Sequence, residues 1–170
     1  MVMSLAAFTA LHVALSLIGI ASGFAVVFGM IAGQKLSGVT MLFLVTTILT
    51  SVTGFMFPYK GFTPGIAIGI LSLIVLIVAI FARYIGRLRG KWRGTWVVSA
   101  ALALYFNFFV LIVQSFEKIP SLHAMAPTQT ETPFKVTQLI GLVLFAVLTS
   151  IAYVRFQPGA LPPETAGTIV

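Results

Sequence analysis

Cysteine is absent from this chain of 170 residues, and so is aspartate. The first absence removes disulfides, thiol redox chemistry, iron–sulfur clusters and Cys-ligated zinc, and with them any reading of compartment from thiol usage. The second excludes an aspartyl protease. Charge of either sign is scarce: ten Lys or Arg and three Glu amount to 8% of the sequence, where a soluble domain carries roughly 25%. So few charges cannot solvate the surface of a compact chain that is 59% hydrophobic, so most of that surface faces something other than water. The net charge of +7 and pI near 10.3 would suggest nucleic acid in a soluble protein. Here the positions of the basic residues fit membrane topology instead, and no nucleic-acid partner is expected.

What is present is long apolar runs. The charges leave uncharged windows at 1–34, 36–59, 61–82, 94–116 and 136–154. A helix rises 1.5 Å per residue and needs about 20 apolar residues to cross a ~30 Å hydrocarbon layer, so the windows predict five spanning helices. Their cores are placed near 6–31, 39–57, 65–86, 95–116 and 136–155. The expected fold is an all-α bundle of five antiparallel transmembrane helices in one domain, 1–156. The links GQKLSG and PYKGFTPG are short and rich in Gly or Pro, as tight turns are. Residues 117–135 form the one long loop, broken by Pro120, Pro127 and Pro133, with Leu122 to Met125 read as a short interfacial turn. After Arg155 the apolar periodicity is too weak to pack, and 157–170 is expected to be a flexible cytoplasmic tail.

Lys and Arg in short loops stay on the cytoplasmic side. Five helices put Lys35, the cluster Arg83, Arg87, Arg89, Lys91 and Arg93, and Arg155 on one side, with Lys60, Lys118 and Lys135 on the other. The N-terminus is therefore expected outside and the C-terminus inside. Tyr84, Trp92, Trp96 and Tyr153 fall at the inner boundary and Tyr59 at the outer one, where amphipathic rings sit. The basic cluster sets topology and rests on anionic headgroups, each cation contributing ~1 kcal/mol; docking of an acidic partner or a specific lipid is its alternative role.

Inside lipid the hydrophobic effect does not drive helices together, so small residues and interhelical hydrogen bonds must. Gly19 and Gly23, with Ser16 on the same face, Gly29 and Gly33, and Gly65 and Gly69 are the candidates. In the second helix Thr46, Thr50 and Thr53 form one stripe, with Thr47, Ser51 and Gly54 beside it. Asn107 and Gln114, seven apart, share a face of the fourth. An amide in hydrocarbon is costly without a partner, so Asn107 is expected to find a hydroxyl of the second helix or another chain.

No charged residue lies inside any uncharged window, and only Arg83 and Arg155 enter the spans, at their ends, which disfavours proton relays and carboxylate catalysis. HExxH and the phosphate-binding GxxxxGK[ST] are missing, and GIASG lacks both the serine position and the strand-to-helix turn of a nucleophile elbow. Two histidines remain, both assigned to the outer side. His12 lies ~8 Å below the outer end of the first helix, and His123 lies in the long loop two residues before Met125. Together with Met1, Met3 and Met56 they offer imidazole and thioether donors, a set suited to copper(I), and two histidines suit a haem iron. The sequence requires no cofactor.

SVTGFMFP with GFTP, and LHAMAPTQTETPF in the long loop, look like segments of a group of small bacterial inner-membrane proteins without an assigned activity. The resemblance implies a multi-pass protein of the bacterial inner membrane and transfers no functional residue. The leading expectation is a non-catalytic accessory or scaffold subunit that packs against another membrane protein or itself. A haem- or copper-binding protein using His12, His123, Met56 and Met125 is the second reading. A permease or channel for a neutral solute, lined by the hydroxyl stripe against Asn107 and Gln114, is the third.

Overall fold

A computed structural model describes residues 4–58, 61 and 63–158. Met1, Met3, Tyr59, Lys60 and nearly all of the expected tail lie outside the described residues. Within them the chain is helical and contains no strand: α1 Leu5–Ile31, α2 Ser37–Gly54, α3 Pro64–Ile80 continuing as a π-helical turn Phe81–Ile85, α4 Lys91–Lys118, α5 Pro120–Met125 and α6 Thr132–Arg155. Five of these are long and apolar enough to cross a membrane, α3 together with its π turn.

Local chemistry sets the ends. Ser4 caps α1 by accepting the Ala7 N–H, and Thr63 caps α3 through the Ile66 N–H ahead of Pro64 at the first helical position, where its missing N–H costs nothing. α1 stops at Gly33, whose φ of 74° only glycine adopts freely. There Gln34 N–H reaches the Gly29 carbonyl and Gly33 N–H the Met30 carbonyl, the double bond of a Schellman ending. Gly33 is thus a helix terminator with open space around it, not the packing partner of Gly29 that the four-residue spacing suggests. Helices α4 and α6 begin at Lys91 and Thr132, four residues before the expected positions, because a hydropathy window marks only the apolar stretch and a helix runs on past it, here with Lys91 and Lys135 exposed on the added turns.

α4 is the centre of the bundle. It packs against α1, α3 and α6, touches α2, and carries α5 at its far end; α1 also packs on α2 and α6, and α2 on α3. Trp96, Val97, Ala100, Ala103 and Leu104 of α4 are fully buried. Half of the most apolar stretch of α4 is buried, against 22% for α3 and 17% for α6. Between α1, α4 and α6, Phe24, Phe108 and Phe145 meet with ring centroids 5.4–6.0 Å apart, contacts worth ~0.5–1.5 kcal/mol each beyond their area. Phe156, the last residue before the expected tail, where apolar periodicity is already too weak to predict packing, is buried; its carbonyl accepts from Arg93 and its N–H donates to the Ala152 carbonyl.

Glycine decides how close α1 comes. A methyl group on Gly23 would stand 2.5 Å from Leu104 Cδ1 and 2.9 Å from Phe43 Cε2. Gly69 likewise faces the Phe55 ring, at 2.8 Å. Gly65 differs from the expectation: it is exposed, and only its own Thr63 lies nearby. Gly23→Val is therefore expected to cost about 1–3 kcal/mol by overpacking and to lower the melting temperature in detergent, whereas Gly65→Ala leaves it unchanged or slightly raised.

Candidate functional site

Apart from Ser22, Ser72 and Ser99, the buried polar groups of the bundle gather in three places. The first is the junction of α1, α2 and α4. A methyl group on Gly19 would lie 3.3 Å from both Thr46 Oγ1 and Thr47 Oγ1 and 3.4 Å from Asn107 Nδ2, so the missing side chain makes room for three polar neighbours. Asn107 is buried and donates from Nδ2 to Thr47 Oγ1 at 3.4 Å. Thr46 donates to the Leu42 carbonyl, Thr50 to that of Thr46, and Ser51 to that of Thr47, the back-bonding by which a helix carries hydroxyls through lipid. Ser16 is half-buried on the α1 face below, while Gln114 is exposed and does not join Asn107 at the junction.

The second place is the start of α1 against the end of α2. His12 Nδ1 and Thr53 Oγ1 are 2.8 Å apart. The Thr53 hydroxyl is already directed at the Leu49 carbonyl, 2.7 Å away, so the consistent assignment has Nδ1–H donating to Thr53 and the lone pair on Nε2. The His12 ring meets Phe57 edge-on at 5.2 Å, and Phe8 packs on Phe57 at 5.0 Å. The other donors of the haem or copper reading stand apart from this pair in kind. His123 is exposed on α5, Met125 is 56% exposed and Met56 is 67% exposed. The apolar side of α5 joins Ile112, Phe116 and Phe134. Among the described residues no group of three or more His, Cys, Asp or Glu converges on a point.

The third place is the basic end. Arg83, expected among the headgroups, is 8% exposed. The π-helical turn carries its side chain inward, where Nη2 donates to the Lys35 carbonyl at 2.8 Å and approaches Ser37 Oγ at 3.4 Å. Its guanidinium lies 4.8 Å from the centre of the Trp96 ring, a cation–π contact that reaches ~2 kcal/mol when desolvated. Trp96 accordingly sits in the core and not in an aromatic belt. Arg93 donates to the carbonyls of Tyr153 and Phe156, both at 2.7 Å, and lies over the Tyr153 ring. Arg87, Arg89 and Lys91 remain exposed.

Sequence reasoning missed the inward turn of Arg83, and it missed Gln129 and Gln138, which donate to the Val113 and Phe109 carbonyls of α4. That the expected third span, 65–86, already takes in Arg83 is the one signal that pointed to it. Comparison with known protein families, with curated proteins and with solved structures returned no match for this chain.

In the long loop Glu131 organises the turn before α6, accepting from the Thr128 hydroxyl and from the N–H groups of Thr128 and Thr130. Desolvation works to raise its pKa, but these donors outweigh it and hold the carboxyl below its ordinary value. The turn is then fully stabilised above the unfolded carboxyl pKa and loses that support as pH falls through the folded value. Amide protection at Thr128 and Thr130, corrected for intrinsic exchange, is expected to fall on acidification and to be lost at neutral pH in Glu131→Ala.

Asn107 gives a sharper test of the junction. Asn107→Leu is expected to cost about 1–3 kcal/mol by leaving polar groups unmatched. Adding Thr47→Val recovers part of that loss, a coupling that thermal unfolding of the two single variants and the double variant in detergent measures.

Proposed function

We propose that this protein is a non-catalytic accessory or scaffold subunit of a larger membrane assembly, acting through helix packing with another membrane protein or with a second copy of itself. The observation that carries this reading is the uneven burial of the spanning helices. α1 and α4 are close to half buried, but α3 and α6 bury only 22% and 17% of their most apolar stretches. Their outward faces carry Ile74 and Ile77 on α3 and Leu139, Ile140, Val143, Val147 and Val154 on α6. Meanwhile Asn107 bonds Thr47 between helices, and Thr46, Thr50 and Ser51 bond carbonyls of their own helix. Polar groups so used support a structural role better than a solute path.

In this reading the five helices run antiparallel, with the N-terminus outside and the basic end cytoplasmic, following the distribution of Lys and Arg. The short segments noted in the sequence add a resemblance to bacterial inner-membrane proteins, and that membrane is the proposed location.

Because the chain has no native cysteine, single cysteines report cleanly on contacts. Ile140→Cys and Ile77→Cys, cross-linked in native membranes, are expected to give discrete adducts, with cysteine at buried Leu104 as a silent control. Monomeric protein in mild detergent, no adduct at either position and no co-purifying partner would end this reading.

A further inference from the structure

α4 is enclosed on every side but one. α3 and α6 flank it without packing together along their lengths, and the gap between them exposes Val98 and Leu102, one turn apart, as a ridge. On either side of the ridge runs a furrow. One, of about 590 Å³ between α4 and α6, is lined by Ala101, Tyr105, Phe145 and Ala146. The other, of about 560 Å³ between α3 and α4, is lined by Val75, Val78 and Thr95 and ends at Lys91. Val98, Leu102 and Tyr153 belong to both.

Length and charge identify what fits. The furrow beside α3 runs along α4 from Lys91 to Leu102, ~17 Å, and the furrow beside α6 runs along α6 from Val154 to Leu142, ~18 Å; each covers the ~15 Å of one leaflet and falls short of the whole ~30 Å layer. Beyond Tyr105 the space closes: a methyl group on Gly141 of α6 would stand 3.5 Å from Ile112 and 3.6 Å from Phe108 of α4. An occupant therefore enters from the basic end and reaches mid-membrane, as an acyl chain does and a spanning helix does not. At the entrance stand Lys91, exposed, and Arg87 and Arg89 in the turn before α4. The one ion pair among the described residues, Lys118–Glu117, lies at the opposite end of α4, so none of these cations is neutralised by a described carboxylate.

We propose that this open sector is a binding site for a two-chain anionic glycerophospholipid, its phosphate held by Lys91 with Arg89 and Arg87 and one acyl chain in each furrow astride Val98 and Leu102. Basic pockets between spanning helices suit such headgroups. Apart from Val154, which borders both, the site uses a different surface from the faces of α3 and α6 offered to a partner protein, and its test does not depend on that proposal.

Native mass spectrometry of the delipidated full chain in mild detergent, titrated with phosphatidylglycerol or phosphatidylcholine, tests it. The anionic lipid is expected to bind at least tenfold more tightly, with Lys91→Gln weakening it about fivefold and Arg89→Gln with Lys91→Gln about 25-fold. Ala146→Trp, which fills a furrow and leaves every charge in place, is expected to abolish retention without lowering the melting temperature. Equal binding of the two lipids, undiminished binding in Ala146→Trp, or displacement of the lipid by glycerol phosphate alone overturns the proposal. So does a protein helix cross-linked to cysteine at Val98. Lys91 is exposed, so its variant keeps the test decisive even if Ala146→Trp does not fold.

Discussion

The approach of α1 to α2 and α4 at Gly19 and Gly23 is the constraint on which the other contacts rest. In hydrocarbon, helices gain nothing by hiding apolar surface, so association depends on how closely backbones approach and on which polar groups they bring together. Gly23 admits Leu104 and Phe43 into direct contact with the α1 backbone. One turn earlier, Gly19 leaves room for Thr46, Thr47 and Asn107. The same seating brings Phe24 onto Phe108 and Phe145, and through Phe145 it sets where α6 lies. A side chain at either glycine would move α1 outward and disturb both the amide–hydroxyl bond and the aromatic contact, though neither involves glycine itself.

Much of this was legible in the sequence, for reasons that differ from residue to residue. The five spans follow from the spacing of thirteen charges, a signal no packing detail can erase. The glycine pairs were less decisive, because four-residue spacing says which residues share a face and not what that face meets. Gly19 and Gly23 face two helices, Gly33 ends a helix in a left-handed conformation, and Gly65 is exposed. The Asn107 bond followed from the cost of an unpaired amide, while its companion Gln114 turned outward, being near enough to the end of α4 to do so. The third-place assignment that sequence could not supply was Arg83. Periodicity ends it at the membrane surface; the extra residue of a π-helical turn rotates it back under Trp96, and no composition rule encodes that rotation.

The ends of the bundle are fixed in different ways. Where α1 begins and α2 ends, the contact is aromatic, with one histidine–threonine bond. At the basic end, arginines reach across to backbone carbonyls: Arg83 to the α1–α2 link, Arg93 to the last turn of α6 and to Phe156. Such bonds suit a site where lipid gives way to headgroups. A guanidinium keeps its charge in either environment and its planar fork satisfies carbonyls that a helix end leaves free.

This explains why the sector between α3 and α6 stays open. α6 is little buried along its length, so its position is set at a few points: Phe145 in the aromatic contact, Gly141 against α4, and its last turn tied by Arg93. Near that tie Tyr153 presses onto α4 where Gly94 has no side chain, at 2.6 Å from a methyl group's position, and its ring lines both furrows. Tyr153 therefore acts as a spacer. With α6 pinned by Arg93 on one side of that ring and α3 bound to α4 on the other, closing the gap would require breaking two charge-assisted hydrogen bonds at the basic end. The opening is held by the same arginine chemistry that surrounds its entrance.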